Sequence, residues 1–74
     1  MVTNGEQIQH EKLSKREFEV MLLIAGGKTM MEIAQELSLS VKTISVYRAR
    51  IMKKMKLRNN VGLTCYVIEE GLLD

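Results

Sequence analysis

Between Lys42 and Arg58 the chain carries seven basic residues and no acid. With a net charge of +2 overall, the rest of the chain therefore carries −5. A charge separation of that size within one short chain points to a polyanion at one face. A merely solvated helix face usually mixes signs. The chemistry on offer is neutralisation of phosphates, which gives affinity through counterion release. Between the cations stand Ser45, Val46 and Ala49, short and uncharged. Valine or alanine can touch a thymine methyl, and a serine hydroxyl can bond several base edges. That is the composition of a groove floor with phosphate walls.

Other chemistry is poorly provided for. The chain has one histidine, His10, one cysteine, Cys65, and one aspartate, Asp74, all in different segments. They form no metal spacing and no nucleophile–base pair, and no glycine-rich phosphate loop accompanies them. The sequence therefore argues against an enzyme, and it implies no cofactor, no metal and no small-molecule ligand. His10 reads as an ordinary exposed side chain, and Cys65 as a small packing residue. A lone cysteine makes no internal disulfide, which is consistent with a reducing compartment. With Phe18 in the core, Tyr47 and Tyr66 offer no platform for stacked bases, so duplex is favoured over RNA. No apolar run is long enough for a membrane, and the polar first residues are not a secretory signal. The cytoplasm is the expected location.

These residues need a scaffold. The 74 residues include no proline and no alternating β-type segment, so the expectation is one all-α domain. Residues 1–12 read as a flexible arm or linker remnant, and 13–74 as the folded domain. Ser14 with Glu17 and Thr29 with Glu32 are capping boxes, and Ser40 is a further N-cap. Gly26-Gly27 and Gly71 are stop signals. Together they predict a compact four-helix domain, with helices over about 15–25, 30–37, 41–56 and 60–70. Only Ser38, Leu39 and Ser40 separate the second helix from the third, the length of the turn in a helix-turn-helix.

In the first helix, Phe18, Met21, Leu22 and Ala25 recur at helical spacing, widened by Leu13, Val20, Leu23 and Ile24. On the third, Ile44, Ile51 and Met55 share the core face, with Tyr47 and Arg48 at its margins. Lys42, Ser45, Val46, Ala49 and Lys53 fall opposite. Thr43 and Arg50 share a flank suited to phosphates, as do Lys53, Lys54 and Lys56. Tyr47 has two readings, a ring packed at the core edge or a hydroxyl on a phosphate. Lys28 and the free amides near Thr29 could hold another phosphate, although capping explains Thr29 equally well. In the fourth helix Leu63 and Val67, and with them Thr64 and Ile68, face inward, while Val61, Cys65, Ile68 and Leu72 form a second apolar edge. A homodimer contact explains that edge, and so does a more deeply seated helix.

The wording of these segments resembles the LuxR/FixJ-type helix-turn-helix domain from Leu13 to Leu73. The matching pieces are LSKREFEV at Leu13–Val20, GKT at Gly27–Thr29, EIAQEL at Glu32–Leu37 and LSVKTI at Leu39–Ile44. KMKL at Lys54–Leu57 and GL at Gly71–Leu72 complete the set. VKTISVYRAR at Val41–Arg50 is most similar to the output domains of bacterial two-component response regulators. The resemblance implies sequence-specific binding of double-stranded DNA and control of transcription. It implies that the third helix reads the major groove and that the fourth pairs a homodimer. By the same resemblance Lys42, Ser45, Val46 and Ala49 approach bases, while Thr29, Thr43 and Arg50 hold the backbone. Gly62 departs from the pattern, where relatives often carry Glu, and this weakens the start of the fourth helix. Such regulators carry a receiver phosphorylated on aspartate, for which Asp74 alone is no substitute. The expectation is an excised output domain or a small free-standing regulator, and the linker-like start favours excision. The alternative from another class is a module that docks on RNA polymerase or a partner regulator.

Overall fold

The computed structural model describes residues 9–73. Among them lie a 3-10 turn at Gln9–Lys12 and four α-helices: α1 Lys15–Ala25, α2 Met30–Leu37, α3 Val41–Met55 and α4 Asn60–Glu69. No strand occurs among the described residues.

Each helix starts where a side chain supplies an acceptor to an otherwise unpaired amide. Ser14 Oγ accepts from the Glu17 amide at 3.1 Å, and Glu17 Oε1 accepts from the Ser14 amide at 2.8 Å. Thr29 and Glu32 repeat the arrangement at 3.1 and 2.8 Å. Ser40 caps α3 through the Thr43 amide, and Asn59 caps α4 through the Gly62 amide. Both expected capping boxes are complete.

The ends are less regular than the sequence suggests. Gly26 keeps a right-handed conformation and Gly27 takes the positive φ of 93°. Helices α2 and α3 end on left-handed residues that are not glycine, Ser38 (φ 58°) and Lys56 (φ 57°). The Leu39 amide reaches back to the Ala34 carbonyl at 2.8 Å, and the Leu57 amide to the Met52 carbonyl at 2.9 Å. These Schellman closures satisfy carbonyls that would otherwise be orphaned. They also end α3 at Met55, one residue before the expected boundary.

Helix α3 packs against α1, α2 and the 3-10 turn, and α1 packs also against α2 and α4. The core is Val20, Met21 and Ile24 from α1, and Ile33 and Ala34 from α2. Ile44, Ile51, Met52 and Met55 from α3, with Leu63 and Val67 from α4, complete it. Burying each of the larger side chains contributes roughly 1.5–3 kcal/mol before entropy is counted. On α1 the fully buried stripe is Glu17, Val20, Met21 and Ile24, while Phe18, Leu22 and Ala25 are half-buried. The stripe is thus rotated from the expected one, and it begins with an acid.

The chain upstream of Leu13 joins the domain sooner than expected. The Tyr66 hydroxyl accepts from the His10 backbone amide at 3.1 Å and shares a 2.8 Å bond with His10 Nδ1. The imidazole also lies against Phe18, with ring centroids 5.6 Å apart. His10 is therefore a packed residue and not a solvated one, and residues 9–12 belong to the fold rather than to an arm. The rest of the expected arm, residues 1–8, lies outside the described residues. Burial holds the Tyr66 phenol above its usual range, with the Glu70 and Glu11 carboxylates adding to it against the His10 amide.

Candidate nucleic-acid interface

The three-residue turn and the two helices it joins fix the interface. Ile33 and Ala34 of α2 pack with Ile44, Ile51, Met52 and Met55 of α3 in one cluster. Met52 is a core residue that the helical wheel leaves unassigned, and its placement turns the opposite face outward. Lys42, Ser45, Val46, Ala49, Arg50 and Lys53 are all exposed. Val46 is 43% exposed, an apolar side chain left bare at the middle of a helix. The fifteen-residue α3 is about 22 Å long at 1.5 Å per residue. An α-helix of that kind fits the major groove.

The expected phosphate-facing residues divide. The side chains of Arg50 and Lys53 have no hydrogen bond or ion pair among the described residues, and neither has that of Lys42. Thr43 is half-buried, and its hydroxyl shares a 2.9 Å bond with Ser40 Oγ. Tyr47 is half-buried and packs on the core, in keeping with the first of its two readings. Thr29 is engaged in its capping box, where the Thr29 backbone amide, then its side chain, holds the Glu32 carboxyl below the usual range. Lys28 Nζ lies 3.3 Å from Glu36 Oε1, with both side chains nearly half exposed.

Two further cations of α3 look inward. Lys54 Nζ is 2.7 Å from Glu17 Oε1, and the Glu17 side chain is 3% exposed. Burial pushes the Glu17 carboxyl up, but the Lys54 ammonium and the Ser14 amide and hydroxyl together hold it below the usual range. Lys54 is thus the counter-ion of a buried acid, not one of the phosphate-facing cations. Arg48 Nε donates to Asn60 Oδ1 at 2.8 Å, bridging α3 to the first residue of α4. Sequence reading missed both partnerships. The one available signal was an acid at the start of the rotated α1 stripe.

The second apolar edge is real for three of its four residues. Val61 is 70% and Ile68 64% exposed, and Cys65 is exposed between them. Leu72 does not continue that edge but packs half-buried on the core of its own chain. Gly71 takes a φ of 66°, and the Leu72 amide returns to the Val67 carbonyl at 3.0 Å. This closure folds Leu72 back beneath the helix end. Among the described residues no group of three or more His, Cys, Asp or Glu could hold a metal. No helix among them is long and apolar enough to cross a membrane.

Comparison with known proteins agrees with this fold. The family model described as bacterial regulatory proteins, luxR family, matches residues 11–67. The response regulator UvrY of Escherichia coli K12 is 40% identical over 73 residues, covering 89% of this chain and 34% of that protein. The oxygen regulatory protein NreC of Staphylococcus carnosus is 44% identical over 62 residues, covering 84% and 29%. The transcriptional regulatory protein LiaR of Bacillus subtilis is 35% identical over 72 residues, covering 96% and 34%. The crystal structure of full-length FixJ from B. japonicum superposes with a TM-score of 0.80 at 35% identity, covering 89% of this chain and 32% of that one. The chain spans about a third of the length of these relatives.

Proposed function

Since the chain belongs to the luxR family of bacterial regulatory proteins, DNA-binding regulators of transcription, we propose that it is the DNA-reading output domain of a response regulator. In this reading α3 enters the major groove, and two copies pair through Val61, Cys65 and Ile68 of α4. Lys42, Ser45, Val46 and Ala49 meet base edges. Arg50 and Lys53 neutralise phosphates, assisted by Lys28, Thr29 and Thr43. The domain works in the cytoplasm, where the chromosome is.

The observation that carries the reading is the exposed face of α3. Short side chains stand at its centre, and cations without side-chain partners among the described residues stand beside them. Short residues let the helix approach the base pairs closely, while the free cations supply affinity independent of sequence. An isolated bare valine would need no explanation. A bare valine flanked by serine, alanine and unpaired cations on one helical face does.

The test is selection of bound duplexes from a random pool, followed by titration at several salt concentrations. The expected product is a two-fold symmetric site, with half-sites about one helical turn apart and two chains per duplex. Arg50→Ala is expected to weaken every sequence and to lower the salt slope by about one unit. Exchange at Val46 or Ser45 is expected to change which sequences are selected. Absence of retardation at any salt concentration would overturn the reading and favour a protein partner such as RNA polymerase.

A further inference from the structure

We propose that Arg48 is a positioning residue which ties the DNA-reading helix to the pairing helix and so sets the half-site spacing that two copies accept. The inference rests on the pairing through α4 proposed above. Arg48 Nε donates to Asn60 Oδ1 at 2.8 Å, across a separation of twelve residues. Among the described residues this is the one side-chain hydrogen bond between α3 and α4. Its two ends are well chosen. Arg48 stands beside Ala49 and two residues from Val46, at the margin of the reading face. Asn60 opens α4, and the next residue, Val61, is the first of the exposed apolar stripe.

Apart from Leu63, buried in the core, little else holds the start of α4. The link from α3 passes through left-handed Lys56, half-buried Leu57 and exposed Arg58. The cap is a single bond from the Gly62 amide to Asn59 Oδ1, and glycine provides no side chain to return it. In α1 and α2 a glutamate makes that return bond. The Arg48 guanidinium supplies the missing constraint. Its plane is fixed once Nε is engaged, and a point-charge lysine would not reproduce the geometry. Adjacent base pairs are about 3.4 Å apart along the duplex. A joint that yields between reading helix and pairing helix therefore admits neighbouring spacings.

The experiment measures affinity of the full chain for duplexes holding two selected half-sites. Their spacing is changed one base pair at a time, with a single half-site as reference. Arg48→Met, Asn60→Ala, the double variant and Asn60→Asp are compared with the parent, each shown folded by circular dichroism. The parent is expected to prefer one spacing. Arg48→Met and Asn60→Ala should each reduce that preference by roughly three- to tenfold, the net worth of one solvent-exposed hydrogen bond. The double variant should fall no further than either single one, because both remove the same bond. Asn60→Asp keeps an acceptor and should retain the parental profile. An unchanged profile in both single variants would overturn the inference and leave the pairing intact. Equal weakening of single and paired sites by Arg48→Met, with Asn60→Ala silent, would overturn it by making Arg48 a phosphate contact. A parent that binds as one chain per duplex would remove the pairing and this inference together.

Discussion

Replacing Lys54 by methionine removes one of the seven cations between Lys42 and Arg58, yet it should leave the salt dependence of DNA binding unchanged. Each cation that neutralises a phosphate contributes about 0.9 to the slope of log K against log salt. Lys54 lies 2.7 Å from the Glu17 carboxylate and should contribute nothing to that slope. Arg50, unpaired among the described residues, should contribute the full amount. The loss at Lys54 appears instead as stability. Breaking a fully buried ion pair by removing one partner costs about 3–5 kcal/mol. Here Glu17 is 3% exposed but Lys54 is 41% exposed. Solvent screening on the lysine side reduces the expected cost to roughly 1–2 kcal/mol. For a domain of this size that is a fall in Tm of roughly 5–15 °C.

The pH dependence of the same variant has a definite sign. The Glu17 carboxyl is held below its ordinary value of 4.5 in the fold. Its contribution is therefore complete above that pH and lost as the pH falls through the depressed folded value. The difference between Lys54→Met and the parent should be largest near neutrality and shrink in acid. Urea unfolding followed by circular dichroism at about pH 7 and about pH 3.5 measures it. A salt slope reduced by about 0.9, with an unmoved urea midpoint at neutral pH, would refute the reasoning and return Lys54 to the phosphates.

Two further substitutions test the scaffold. Gly62→Ala should raise stability by roughly 0.5–1 kcal/mol, because alanine is the better helix residue. The added Cβ would meet Leu57 Cδ2 at 3.5 Å and Asn59 Oδ1 at 3.6 Å, ordinary contacts; a lowered melting temperature would show that the site is tighter than this. Tyr66→Phe removes the partner of both His10 bonds and should cost roughly 1–2 kcal/mol. Hydrogen exchange should quicken at the His10 amide while the middle of α4 stays protected, and an equally slow His10 amide would deny the tie.

What could be read from the sequence is local, and what could not is distant. Ser14 with Glu17 and Thr29 with Glu32 are three residues apart, and both formed the reciprocal bonds that their types demand. The apolar period of α3 likewise names Ile44, Ile51 and Met55 of its core face, though not Met52. Glu17–Lys54 spans 37 residues and His10–Tyr66 spans 56. No helical period can relate side chains so far apart. The turn residues Ser38 and Lys56 were hidden for another reason. A left-handed residue is signalled by glycine, and here serine and lysine accept that conformation because the Schellman bonds behind them close the helix.

The same division runs through the candidate interface. Seven cations in one stretch look like a single binding surface when only charge is counted. The fold sorts the five of them in α3 by angle around the helix: Lys54 goes to the Glu17 carboxylate, and Arg48 to Asn60. Lys42, Arg50 and Lys53 remain on the side away from the core. The two inward cations hold α3 against α1 and α4, so they determine where the outward residues can reach. In the proposed reading positive charge in this helix serves both to hold its orientation and to attract a polyanion. Specificity in that reading falls to Lys42, Ser45, Val46 and Ala49, which can meet base edges only while that orientation is held.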